Sequence, residues 1–268
     1  MGILNLTPDS FSDGGKHSLN GESIVKTIRQ MIDDGAHIID IGGQSTRPDA
    51  DEVSLEEELD RVIPAIQAIR QAGLKIPISV DTYQSAVAEA AIQEGADIIN
   101  DVSAGTLDPA MFPLIAKLNV PIILMHMRGT PKTMTSLTEY HGDLIDTIAQ
   151  ELSSRVEEAI RSGIRRWNII LDPGLGFAKQ GAQNVEILRR LGELRAHPKL
   201  SGMPWLVGPS RKRFIGKITG EEIAKERIWG TAGAVAASVQ GGADIVRVHD
   251  IPEMSKIVKM SDAIWRNV

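Results

Sequence analysis

Short aliphatic runs alternate along this chain with longer segments in which apolar residues recur every three or four positions. The runs are Met1–Asn5, Gly35-Ala-His-Ile-Ile-Asp40, Pro77–Val80, Gly95-Ala-Asp-Ile-Ile-Asn100, Pro121–Met125, Asn168–Leu171, Pro204–Val207 and Gly242-Ala-Asp-Ile-Val-Arg247. They are β-branched and nearly continuous, as expected of parallel strands covered on both faces. Three of them are almost one hexapeptide, offset by 60 and 147 residues. Each reads as a helix-ending glycine that feeds a buried strand. Between the runs, helical stripes are formed by Ile24, Ile28, Met31 and Ile32, and by Leu55, Leu59, Val62, Ile63 and Ile66. The second stripe opens with a capping box at Ser54 and Glu57, and Pro64 predicts a kink inside it. Ile145, Ile148, Leu152, Val156 and Ile160 predict a fifth helix, and Ile187, Leu188, Leu191 and Leu194 a sixth. Met254, Ile257, Val258, Ser261 and Ile264 predict a last helix with Pro252 at its first position. Eight strands, each followed by a helix, define an α/β fold: one (β/α)8 TIM barrel over residues 1–268, without a linker or low-complexity tract.

The length of 268 residues suits that fold. No apolar run could span a bilayer, and no charged-then-apolar start marks a secretory signal. A net charge of −6 argues against a dedicated nucleic-acid binder, although local basic clusters still allow an anionic substrate. The absence of cysteine excludes disulfides, thiolate metal sites and thiol nucleophiles, and fits a reducing compartment.

In barrels of this kind the chemistry sits at the C-terminal ends of the strands. Those ends carry Asn5; Asp40 with Gln44-Ser-Thr46-Arg47; Asp81; Asn100-Asp101; His126 and Arg128; Asp172; Ser210-Arg211-Lys212; and Arg247-Val-His249. Singly, each has an ordinary explanation. Asp40 could as well hold a loop. His126 reads as a histidine satisfied by protein partners, since no second ligand stands at metal-binding spacing. Ser-Arg-Lys alone is a weak motif. Together they say more. Asp81, Asn100 and Asp172 converge on the barrel mouth as an acceptor-rich pocket, which suits a flat ring crowded with N–H donors. Lys212 adds a donor, and Arg47, Arg247 and His249 form a cationic rim suited to phosphate. The polar loop from Asn5 to Gly15, with Phe11 and Asp13, is too elaborate for a turn and reads as part of an active site.

At this level the chain resembles dihydropteroate synthase. The likeness rests on Asn5-Leu-Thr-Pro-Asp-Ser-Phe-Ser-Asp-Gly-Gly, Gly42-Gly-Gln-Ser-Thr-Arg-Pro48, Ser79-Val-Asp-Thr82, Leu171-Asp-Pro-Gly-Leu-Gly-Phe177, Ser210-Arg-Lys-Arg-Phe214 and Arg247-Val-His249, which occur in order along nearly the whole chain. The resemblance implies condensation of 6-hydroxymethyl-7,8-dihydropterin pyrophosphate with p-aminobenzoate, in an SN1-like displacement. It implies pterin binding by Asp81, Asn100, Met125, Asp172 and Lys212. Pyrophosphate would be bound by Thr46, Arg47, Arg247 and His249, with Mg2+ at Asn5. Phe11, Pro48, Phe177 and the backbone around Arg213 would wall the p-aminobenzoate site. Asp13, Arg47, Asp172 and Lys212 would be the catalytic set, with Phe11, Asp13 and Thr46 on loops that close over the reacting centre. A homodimer is implied as well, with the Gly/Ala-rich stretch Gly230–Ala237 suited to close helix packing. No nucleic-acid or membrane partner is expected.

Gln44 and Arg213 stand where bacterial enzymes commonly have Glu and Ser. Both variants resemble fungal enzymes in which the module is fused to other folate-pathway domains, and Met1 is then compatible with an internal position of a longer chain. A cytoplasmic location is expected, with the mitochondrion as the alternative for a fungal fusion. Two rivals remain: a pterin-binding methyltransferase domain, which would not need the Asn5 loop, Arg47 and Lys212 together, and a catalytically silent barrel in a fusion. A phosphate-binding barrel isomerase is disfavoured by the strand-one loop. Trp167, Trp205 and Trp229 are expected in barrel or interface packing, Arg165-Arg166 in a solvated loop, and Asn5-Leu-Thr7 as an unmodified glycosylation match.

Overall fold

The computed structural model describes residues 1–6, 21–44 and 53–266. Eight parallel strands close into a (β/α)8 barrel. Strands β1 (Gly2–Asn5), β2 (Ile39–Gly42), β3 (Ile78–Asp81), β4 (Ile98–Asp101), β5 (Ile122–Met125) and β6 (Ile169–Asp172) pair in sequence order. Strands β7 (Leu206–Val207) and β8 (Ile245–Val246) pair with each other. Bridges between Leu171 and Trp205 and between Gly2 and Val248 join the two sets. The helices between strands are α1 (Gly21–Asp33), α2 (Leu55–Gln71), α3 (Ser85–Gln93), α4 (Met111–Leu118) and α5 (Leu144–Arg161). They continue with α6 (Gly181–Arg189), α7 (Leu191–Ala196), α8 (Arg213–Thr219), α9 (Ile228–Gln240) and α10 (Ile251–Trp265).

Strand alternation decides where the polar residues go. Successive strand side chains face opposite sides. Ile39, Ile41, Ile78, Val80, Ile99, Ile122, Leu124, Ile169 and Leu171 face outward and pack with the helices in the main core. Ile98, Ile123 and Leu206, with Ile38, Ile170 and Ile245, make a separate small cluster that fills the lower barrel. Two residues further along, the same inward face presents Asp40, Asn100, Met125, Asp172 and Arg247. The lower barrel is therefore aliphatic and the mouth polar.

The repeated Gly-Ala motif does two jobs. Gly35, Gly95 and Gly242 adopt φ of +104°, +103° and +93°, which only glycine enters without strain. In each case the following alanine N–H reaches back five residues: Ala36 to Met31, Ala96 to Ala91 and Ala243 to Ser238. This closes the helix in a Schellman motif and turns the chain straight into its strand. The Asp of the second and third copies then caps a neighbouring strand start: Asp97 Oδ2 accepts from Ile78 N at 2.7 Å, and Asp244 Oδ2 from Trp205 N at 2.8 Å.

Some expectations need correction, first at the start of α2, the helix that carries Pro64 within it. At its start Ser54 accepts from Glu57 N, but the Glu57 carboxylate binds Arg61 one turn on, so only half of the capping box forms. The sixth helix is interrupted at Arg190, which caps both halves. Pro252 follows Ile251 and so stands second in α10. Ile160 and Ile264 are exposed rather than buried. Trp205 is wholly buried, whereas Trp167 and Trp229 are exposed and take no part in barrel packing.

Candidate active site

Register builds the mouth. Asn5, Gly42, Asp81 and Asn100 are successive partners across β1 to β4, so their side chains form one row. Gly42 in the middle keeps the row open: a Cβ there would lie 3.6 Å from Asp81 Cβ and 3.8 Å from Asn5 Oδ1. One layer deeper, Asp40 is the partner of Ser79. On the far side Met125 pairs with Asp172, and the His126 N–H continues the ladder to the Asp172 carbonyl at 2.9 Å.

Arg247 crosses this space. Its Nε donates to Asp40 Oδ2 at 2.5 Å and its Nη2 to Asp81 Oδ2 at 2.7 Å, while Asn100 Nδ2 donates to Asp40 Oδ2 at 3.2 Å. Asp40, which the sequence left open between a loop anchor and a substrate contact, holds an arginine 207 residues away. Arg247, expected on the phosphate rim, is tied to the pocket carboxylates. The remaining oxygens, Asp40 Oδ1 and Asp81 Oδ1, and the Ser79 hydroxyl are buried without a hydrogen-bond partner among the described residues. Burial pushes the Asp81 carboxyl well above the usual carboxylate range, with Arg247 pulling against it. Asp172 is also pushed up by burial, opposed by the Gly174 N–H that donates to its Oδ1 at 2.7 Å and by Lys212. Orphaned acceptors in a buried pocket are costly unless a donor-rich ligand satisfies them.

The loops after β6 and β7 supply the opposite wall. Phe177 is buried, with the Lys212 ammonium 4.4 Å above its ring. The pocket donor and the expected amine-site wall are thus packed against each other. Arg211 adopts φ +59° and turns away, its guanidinium on Asp250 and its N–H on Thr231 Oγ1. Of the Ser-Arg-Lys triplet, Arg211 therefore braces the loop while Lys212 reaches the mouth. Ser210 Oγ accepts from His249 N at 3.1 Å and lies 3.0 Å from His249 Nδ1, which joins the loops after β7 and β8. Arg213 opens α8 and is exposed. Gln44 is buried and donates to Tyr83 OH at 2.6 Å. Phe11, Asp13, Thr46, Arg47 and Pro48 lie outside the described residues. Among the described residues no group of three or more His, Asp or Glu side chains is placed to hold a metal ion.

His126 is satisfied by protein, but by partners that sequence reasoning missed. Its Nε2 lies 2.8 Å from Glu151 Oε2, and its Nδ1 lies 2.8 Å from the ammonium of Lys179, itself buried. Burial pushes the imidazole down to about 4, so it is neutral at pH 7. Only the motif Gly176-Phe-Ala-Lys179, a lysine directly after a site loop, offered a sequence signal for this cluster. Asp101 faces away from the mouth and holds its own loop through Ser103 and Gly105.

Comparison with known proteins agrees with this geometry. The pattern of pterin-binding enzymes matches residues 1–249. The chain is 58% identical to the folic acid synthesis protein fol1 of Schizosaccharomyces pombe, over 98% of this chain and 36% of that protein. It is 53% identical to the dihydropteroate synthase of Synechocystis, over 99% of this chain and 90% of that protein. The crystal structure of Yersinia pestis dihydropteroate synthase with a sulfonamide drug complex superposes with a TM-score of 0.90 at 39% identity, covering 100% of this chain and 94% of that one. The chain spans just over a third of the length of the two fungal relatives it matches at 58% and 55% identity.

Proposed function

The chain belongs to the family of pterin-binding enzymes, and on that premise we propose that it is a dihydropteroate synthase module. It is a transferase that joins 6-hydroxymethyl-7,8-dihydropterin pyrophosphate to p-aminobenzoate and releases pyrophosphate. The observation that carries this reading is the floor of orphaned acceptors at Asp81 and Asp40 beside Asn100 and Asp172. A pterin edge, with several N–H donors in one plane, satisfies such a floor, and a simple phosphate, which brings mainly acceptors, does not. Met125 and Lys212 complete the ring pocket.

Asp172 stabilises cationic character in the ring as the carbon–oxygen bond breaks, in an SN1-like displacement without a covalent enzyme intermediate. The aryl amine is a weak nucleophile and needs position more than a base, which Phe177, Pro48, Phe11 and the start of α8 at Arg213 supply. His249, with Thr46 and Arg47, binds the pyrophosphate, and Arg247 adds its charge to that end while Asp40 and Asp81 hold it in place; Asp13 rides on the closing loop. Asn5 offers one hard oxygen at the mouth, in the open space beside Gly42. That fits Mg2+, which keeps several waters and takes one or two protein oxygens plus substrate phosphates. When bound there, Mg2+ would neutralise charge on the leaving pyrophosphate.

A second copy of the chain is the partner we propose for the exposed apolar side chains Trp229 on α9 and Met260 and Ile264 on α10, which are 83%, 62% and 53% exposed. Sedimentation should give a dimer that Trp229→Glu weakens, and an unaltered monomer in both would overturn it. No described helix is long and apolar enough to cross a membrane. For a chain without cysteine we propose a reducing compartment, the cytoplasm or, in a fungal fusion, the mitochondrion. The test of function is pyrophosphate release with both substrates and Mg2+, repeated without p-aminobenzoate. Release that requires both supports the reading, and no release under either condition overturns it in favour of a silent barrel.

A further inference from the structure

We propose that Lys179 is a positioning residue for the amine substrate, acting by clamping the turn that presents Phe177. The inference rests on the proposed synthase activity. Lys179 is 8% exposed, yet its ammonium meets three acceptors: the Phe177 carbonyl at 2.9 Å, His126 Nδ1 at 2.8 Å and the His126 carbonyl at 3.3 Å. Burial pushes the Lys179 amine down to about 7, and in its ammonium form three donors meet three acceptors. For His126 Nδ1 to accept, the ring proton must sit on Nε2, where Glu151 Oε2 receives it. Glu151 is in turn held by Arg128, and Arg128 stacks 3.8 Å over Tyr140. The Tyr140 hydroxyl donates to the Ala178 carbonyl at 3.0 Å, which closes the circuit on the same turn.

The turn needs holding. Ala178 adopts φ +49°, a left-handed conformation that a non-glycine residue keeps only when its surroundings impose it. That reversal sends Phe177 towards Lys212 and Lys179 back to His126, and the carbonyls of Phe177 and Ala178 are the two that Lys179 and Tyr140 bind. The pterin side depends less on this clamp: Met125 and Lys212 touch the turn, but the backbone of Met125 and Asp172 is fixed by sheet register and by the His126 N–H on the Asp172 carbonyl. Loss of Lys179 should therefore loosen the amine site more than the ring pocket.

Lys179→Met keeps the side-chain length and removes the ammonium. Steady-state kinetics should show KM for p-aminobenzoate raised about tenfold, with KM for the pterin pyrophosphate changed by less than about twofold. In a Phe177→Ala background the same change should add nothing further, because Lys179 acts through Phe177. Tyr140→Phe, which removes the second brace, should raise the same KM by about threefold. Equal changes in both KM values, or independent effects of Lys179→Met and Phe177→Ala, would overturn the inference. If Lys179→Met does not fold, Tyr140→Phe decides, and an unchanged KM for p-aminobenzoate there overturns it. An inactive parent protein overturns the synthase reading instead.

Discussion

Asp97 and Asp81 stand at opposite ends of strand β3 and do opposite things. At the bottom, Asp97 accepts from the Ile78 N–H and pairs with Arg70 Nη2 at 2.7 Å, and it is half exposed. Asp244 repeats the arrangement at β7. At the top, Asp81 and Asp40 share one arginine and each keeps a buried oxygen without a partner among the described residues. The same residue type caps a strand at one end and waits for a ligand at the other. Acidity at a strand end says little by itself; an acceptor left unsatisfied after the protein's own donors are counted marks the site.

The largest expected effect comes from removing the shared arginine. Arg247→Met leaves Asp40 buried with only the Asn100 amide and takes from Asp81 the arginine it shares, and breaking such a buried pair costs about 3–5 kcal/mol in stability. Activity should fall with it. Adding Asp40→Leu should restore part of the stability in urea unfolding, the part due to Asp40, but none of the activity. A double variant as unstable as the single one would mean that the loss comes from Asp81 rather than from Asp40, and would blur the contrast between the two ends.

Asp172→Asn tests the top without disturbing an ion pair. The amide oxygen can still accept from Gly174 N, so folding should be retained. Pyrophosphate release should drop by about 100-fold or more, the scale of losing one electrostatic contact at the developing charge. A wild-type rate would remove Asp172 from the mechanism.

The barrel itself, the Schellman turns into the strands and the convergence of Asp81, Asn100 and Asp172 were legible in the sequence. All three follow from local signals: glycine placement, runs of β-branched residues and the period of two. What was not legible is who pairs with whom. Asp40 and Arg247 meet only because the barrel closes, and Lys179 reaches His126 only because Ala178 reverses the chain. The break at Arg190 was hidden because its apolar stripe continues unbroken, while the arginine pairs with Asp143, Glu186 and Glu193. Arg47, Thr46, Pro48, Phe11 and Asp13 lie outside the described residues, so the row from Asn5 to Asn100 stands on register alone.

His126 offers an acid test of the wall behind the mouth. The fold holds its imidazole neutral, with the value depressed by burial to about 4 against an ordinary 6.5. The stability tied to that neutral form is present above pH 6.5 and is lost as the pH falls towards 4, up to about 3 kcal/mol. Glu151, held down to about 2, contributes its own loss only below about 4.5. His126→Asn places an amide oxygen where Nδ1 accepts from Lys179 and cannot titrate. Because burial raises the carboxyls of Asp81 and Asp172 in both proteins and so adds stability as the pH falls, the readout is the difference: from pH 7 to 5 urea unfolding should lose more stability, or gain less, in the parent than in the variant. Equal slopes would show that His126 is not the titrating group.

The smallest effect is the most discriminating for the comparison. Asp97→Ala removes the cap on Ile78 and the partner of Arg70, but Asp97 is half exposed and water replaces part of what is lost. The cost should be on the order of 1 kcal/mol, about 2–4 °C in Tm, with kcat and both KM values within about twofold of the parent. Arg70 keeps its bonds to the carbonyls of Gly95, Leu74 and Ile76, so the helix ends stay joined. If Asp97→Ala instead lowers kcat while Tm holds, strand β3 is transmitting strain from its bottom to Asp81. The two ends of the barrel would then be one functional unit, and the division of labour between its aspartates would fail.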